Sequence, residues 1–136
     1  MDENNSVSQN SKMIFPELSN KIIKAYYNVY NTLGYGFLEK VYENALKLEL
    51  QEMGMYVEQL KNIRVYYKGK EVGDYFADLI VDKSIIIELK AAESICEEHE
   101  AQLLNYLRAT TIELGFLFNY GKKAEFKRKI FTNDKK

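Results

Sequence analysis

Cysteine, histidine and proline occur once each among 136 residues, and tryptophan not at all. A single cysteine, Cys96, excludes an internal disulfide and fits a reducing, cytoplasmic setting. Cys96 stands three residues from His99, but nothing near them supplies the context that a thiol nucleophile needs. No apolar run reaches the roughly 18 residues of a membrane span, so no membrane role is expected. Residues 1–15 are expected to form a disordered leader; their first twelve positions are polar and rich in Asn and Ser, without the apolar stretch of a secretory signal. Net charge is only −1, so the molecule as a whole does not advertise a polyanionic partner. No internal repeat and no helix-turn-helix reading head is visible, which makes sequence-specific recognition doubtful.

Charge is present but uneven. Lys122, Lys123, Lys127, Arg128, Lys129, Lys135 and Lys136 crowd the C-terminal stretch, while Glu93 to Glu100 is acidic. A basic end beside an acidic centre suits a phosphate backbone held over a metal site, and it suits an ordinary solvated terminus equally well.

The length predicts one domain, over residues 16–131, followed by a basic tail, 132–136. Pro16 opens a helical pattern in which Leu18, Ile22, Ala25, Val29 and Leu33 recur, capped at Ser19 or at the Phe15–Pro16 step. Gly34-Tyr35-Gly36 breaks it. A second helix is expected from about Leu38 to Met53, with Leu38, Val41, Ala45 and Leu48 as its apolar stripe and Gly54 as its stop. The period then becomes alternating. Tyr56 to Tyr67 reads as one long strand or two short ones, Lys68 to Glu71 as a turn, and Val72 to Val81 and Ile85 to Lys90 as two further strands. A third helix, Glu97 to Thr111, should face the core with Ala101, Leu104, Leu107 and Ala109. Gly115 to Asn119 reads as a buried strand and Lys129 to Phe131 as a candidate edge strand. The order α-α-β-β-β-α-β, with a candidate last strand, predicts an α/β sandwich with a mixed central sheet.

The segment Asp78 to Lys90 carries the chemistry. A turn centred on Lys83 pairs Val81 with Ile85 and puts Asp78 opposite Glu88, their Cβ atoms about 5 Å apart. Slipping the register by one residue would push a polar set into the apolar layer. Like charges directly opposed are destabilising, so the pair needs an explanation: either both acids point to water at a sheet edge, or a divalent cation lies between them. Lys90, two residues from Glu88, shares its face.

These residues resemble the PD-(D/E)XK nuclease superfamily, in which an acid precedes Glu-x-Lys on strands ahead of a crossover helix. Gly36-Phe-Leu-Glu39-Lys-Val-Tyr42 matches the motif of the GxxExxY proteins, and Tyr75 to Asp82, Ile87 to Ala91 and His99 to Arg108 look like the same family. The resemblance implies a restriction-endonuclease-like α/β/α sandwich and Mg²⁺- or Mn²⁺-dependent cleavage of nucleic acid, DNA ahead of RNA. It implies Asp78 and Glu88 as metal ligands with the carbonyl of Leu89 as a third. Lys90 would orient the attacking water, and Glu39 would be the helical acid that holds metal through water. Gln102 and Tyr106 resemble the Gln-x-x-x-Tyr element of the RecB-like branch. His99, Gln102 and Tyr106 share a helix face that could touch the substrate backbone. Cutting both strands of a duplex with one site per chain would favour a homodimer.

Each residue also has a bland reading. His99 can be merely solvated, Gln102 and Tyr106 an exposed pair, Glu39 a helix-dipole acid, Glu43 a solvated one, and Asp82 a turn former. A catalytically silent binding module that keeps the fold is the alternative function.

Overall fold

The computed structural model describes residues 14–136, so the expected leader up to residue 13 lies outside the described residues. Helix α1 spans Pro16–Leu33 and α2 spans Glu39–Glu52. Strands β1 (Val57–Tyr67), β2 (Lys70–Val81) and β3 (Ile85–Lys90) follow, then helix α3 (Glu97–Arg108) and strands β4 (Leu114–Tyr120) and β5 (Ala124–Ile130). The sheet order is β1-β2-β3-β4-β5, antiparallel except for β3 and β4, which α3 joins by a parallel crossover. Helices α1 and α2 cover one face of the sheet and α3 the other, giving the α/β/α sandwich.

The local reasons are mostly those the sequence offers. Phe15, not Ser19, precedes the first helical turn, and Pro16 supplies a pre-set φ there; Ser19 lies inside the helix with its hydroxyl buried and unpartnered. Gly34 and Gly36, at φ 70° and 110°, release the chain from α1, and Gly54, at φ 91°, follows α2. The β1–β2 turn is tighter than expected: Lys68 and Gly69 both take positive φ, and Tyr67 pairs with Lys70. Ile85, Ile86 and Ile87 are all fully buried, as a strand covered on both faces requires. The last strand is longer than expected and takes up Lys127 and Lys129, while residues 133–135 form a single tight turn. Lys129 is drawn to Glu100 on α3 at 2.6 Å.

Two helix faces differ from expectation. Leu38, just before the first turn of α2, is 81% exposed and Leu48 within it 57%, while Tyr42, Leu46 and Leu50 are buried. Two apolar stripes lie side by side on this helix. The one that carries Tyr42 wins because its ring stacks on Tyr120, centroids 4.4 Å apart at 7°. In α3, Leu107 is buried as expected, but Ala101 is exposed, and Leu103 and Tyr106 face the sheet as well. Glu43 is not a solvated acid. It is 3% exposed and is held by Lys40 at 2.9 Å and by the Gln59 amide.

Candidate active site

The β2–β3 hairpin has the register argued above: Val81 pairs with Ile85, Ile80 with Ile86 and Leu79 with Ile87. Asp82 and Lys83 both take positive φ in its turn, and the Asp82 carboxylate accepts the Tyr56 N–H at 2.8 Å, so Asp82 is a turn former. The ladder stops one residue short of Asp78. There the two carboxylates replace backbone partners. Glu88 Oε2 accepts the Asp78 N–H at 2.8 Å, and Asp78 Oδ2 accepts the Leu89 N–H at 2.8 Å. Each acid thus caps the opposite strand with one oxygen and leaves the other oxygen uncommitted to the backbone.

Strand β1 is irregular at the same level. Gln59 pairs with Leu79 and Lys61 with Ala77, so the register is kept while Leu60 and Asp78 stand opposite each other without a ladder pair; the φ of Leu60 is 56°, unusual for a branched side chain. Side-chain alternation shifts too: Leu79 and Val81 join the cluster under α1 and α2, whereas Ala77 joins Ile80 in the cluster under α3. Asp78 sits where the strand changes face.

Glu88 is 3% exposed. Burial pushes its carboxyl well above the usual range, and the charge of Asp78 adds to the shift. Asp78 moves the same way, first by burial and then through Glu43 and Glu39, with the Leu89 N–H opposing. Among the described residues no Lys or Arg nitrogen lies within 4 Å of either carboxylate. Lys90 lowers both pKa values from a distance; its Nζ lies 3.3 Å from Gln102 Oε1, and Gln102 donates to the Tyr106 hydroxyl at 3.0 Å. Lys90, Gln102 and Tyr106 therefore form one polar chain beside the acid pair. The nearby Glu88 charge helps raise the Tyr106 pKa, second to burial.

Glu39 is exposed in the first turn of α2, and its charge reaches both acids. His99 caps α3, its Nδ1 accepting the Cys96 N–H at 3.3 Å. The carbonyl of Leu89 sits on the same strand as Glu88, beside the amide that Asp78 holds. Among the described residues no three His, Cys, Asp or Glu side chains cluster as a ready metal site. The donor set that fits a hard cation is two carboxylates and a carbonyl, the kind Mg²⁺ accepts while keeping several waters.

Three supports escaped the sequence. The Tyr42 hydroxyl donates to the Gly34 carbonyl at 2.7 Å and accepts the Phe37 N–H at 3.2 Å, which fixes the loop leading into Glu39. Asn119, fully buried on β4 and paired with Lys90, grips Ala92 through both backbone groups at 2.9 Å. A Cβ at Gly121 would lie 2.3 Å from the Ala92 carbonyl, so only glycine lets the chain leave Lys90 along this path. The spacing Gly36-x-x-Glu39-x-x-Tyr42 held a clue to the first; long-range contacts alone define the other two.

A family model, the PD-(D/E)XK nuclease superfamily, matches residues 16–129. No curated protein and no solved structure matches the chain. The chain belongs to the PD-(D/E)XK nuclease superfamily.

Proposed function

We propose that this member of the PD-(D/E)XK nuclease superfamily is a metal-dependent nuclease that hydrolyses phosphodiester bonds of nucleic acid. One observation carries the reading: two carboxylates of raised pKa face each other across a splayed hairpin, and among the described residues no Lys or Arg side chain pairs with either. The superfamily generally uses divalent metal ions. Mg²⁺ or Mn²⁺ bound here would polarise the scissile phosphate and acidify a bound water. Asp78 and Glu88 would hold the ion through their uncommitted oxygens, with the Leu89 carbonyl as a third donor. Lys90 orients the attacking water and sets positive charge where negative charge builds on phosphorus. Gln102 keeps the Lys90 ammonium in place, Tyr106 anchors Gln102 at the edge of the substrate path, and Glu39 adds an outer carboxylate reached through water. His99 stays with the helix cap rather than the reaction. DNA is the favoured substrate over RNA, and a homodimer would suit cleavage of both strands of a duplex.

A silent binding module is the second reading, favoured by the exposed aromatic side chains of the outer β1–β2 hairpin, Tyr66, Tyr67, Tyr75 and Phe76. Incubation of labelled DNA and RNA with Mg²⁺ or Mn²⁺, beside the Asp78→Ala variant, separates the two. Cleavage that disappears in the variant supports the nuclease. Cleavage equal in both proteins, or no cleavage together with no cation binding by calorimetry, overturns it.

A further inference from the structure

A groove of about 770 Å³ runs between the outer half of the β1–β2 hairpin and α3. Arg64, Tyr66 and Tyr75 stand on its hairpin wall, and Gln102, Tyr106 and Arg108 on its helix wall. Gln102 belongs to two places at once, because the same side chain that lines the groove holds the Lys90 ammonium at 3.3 Å. One end of the groove therefore meets the polar chain that reaches Lys90 beside the acid pair.

Its walls have a definite chemistry. Tyr66 and Tyr75 are 59% and 50% exposed, a large aromatic area that no part of the described chain covers. Gly73 leaves space for one of these rings: a Cβ there would lie 3.0 Å from Tyr75, whose ring also approaches Tyr106 with centroids 5.9 Å apart. Arg108 bonds Asn105 and lies over the Phe131 ring at 4.9 Å. Arg64 has only a long contact, 3.9 Å, to the half-exposed Glu71. Glu98 is the one acid on the lining. Aromatic faces alternating with guanidinium groups suit unpaired bases and their phosphates. A duplex hides its base faces against their neighbours, so these tyrosines would find nothing to stack on.

We propose that this groove binds a single, unpaired strand of nucleic acid, bases against Tyr66 and Tyr75 and phosphates against Arg64 and Arg108, and directs it past Gln102 to the acid pair. The proposal rests on the nuclease reading and names the substrate form for it.

The test is fluorescence anisotropy in EDTA with labelled oligothymidylate and a blunt duplex of equal length. The wild type should bind the single strand at least tenfold more tightly, and Tyr66→Ala should weaken that binding by about tenfold, as loss of a stacked base predicts. Tyr66 is exposed, so the variant should melt like the wild type. Hydrolysis of bis(p-nitrophenyl) phosphate by the wild type with Mn²⁺ reads the acid pair separately, because that small diester is too short to span the groove. Equal affinity for single strand and duplex, or unchanged affinity in both Tyr66→Ala and Tyr75→Ala, overturns the groove even if the small diester is cleaved. Preferential single-strand binding that Tyr66→Ala weakens sustains the groove even if the wild type cleaves no diester, a result that would count against hydrolysis alone.

Discussion

Replacing Asp78 by Asn should make the metal-free protein more stable, although it alters a buried polar group. Two unit charges about 5 Å apart, the cross-strand spacing, repel by roughly 3 kcal/mol at an effective dielectric constant of about 20. Burial adds to the cost of keeping both ionised. Asparagine retains a side-chain oxygen that can accept the Leu89 N–H, so the 2.8 Å bond is kept while the charge goes. Allowing for a weaker neutral bond and for partial protonation of Glu88, the net gain at pH 8 is about 1–3 kcal/mol, roughly 3–12 °C in melting temperature for a chain of this size. The pH dependence fixes the sign. Both carboxyls have folded pKa values above their unfolded ones. The folded state therefore holds their protons more tightly, and the pair's contribution is most favourable at acid pH and is lost as pH rises through the folded pKa values. The advantage of Asp78→Asn over the wild type should accordingly grow from pH 5 to pH 8. Urea denaturation in EDTA across that range measures it. Adding Mn²⁺ should then stabilise the wild type by mass action and the variant hardly at all. A variant less stable than the wild type at pH 8 in EDTA, or an equal response of both to Mn²⁺, would refute the charge-repulsion account of the pair.

Three further outcomes follow from the supports of the site. Lys90→Met should lower cleavage by about 10²–10⁴-fold while Mn²⁺ affinity by calorimetry changes only a few-fold; full cleavage would remove Lys90 from the reaction. Tyr42→Phe leaves the Gly34 carbonyl and the Phe37 N–H without their shared partner, so it should cost about 1–3 kcal/mol in urea denaturation, and a neutral effect would show that the loop into Glu39 is held by something else. Gly121→Ala places a methyl group 2.3 Å from the Ala92 carbonyl and should destabilise by about 1–3 kcal/mol or more, with a lowered melting temperature as the readout.

Much of the architecture could be read from the sequence because its signals are local. The change from helical to alternating period marks the passage from α2 to β1, and the all-isoleucine start of β3 announces a strand buried on both faces. The hairpin register followed from one requirement, that Asp78, Glu88 and Lys90 stay out of the apolar layer. The α2 face was harder, since Leu38, Val41, Ala45 and Leu48 make an acceptable stripe by hydrophobicity alone. What selects Tyr42, Leu46 and Leu50 is the stacking of Tyr42 on Tyr120, about eighty residues away, which no local pattern records. Glu43 misled for the same reason: its partner Gln59 comes from the neighbouring strand. Gln102 and Tyr106 were legible as a pair, but only the fold brings them to Lys90.

The geometry of the site depends on a fault in the sheet more than on any single side chain. At one level Leu60 of β1 takes a left-handed conformation and leaves its pairing with Asp78 unmade, β2 changes the face its side chains present, and the β2–β3 ladder stops at Leu79 and Ile87. A continuous ladder would occupy the Leu89 N–H with a backbone carbonyl and leave the Asp78 carboxylate without its anchor. Splaying the strands frees two amides, and the two acids take them, which holds like charges face to face inside the protein. A stable fold gains nothing from that arrangement, because uncharged side chains of similar shape would fill the gap at lower cost. On the proposed nuclease reading, the fault keeps two carboxylates fixed, close and only partly satisfied, the state in which a cation from solvent would find them.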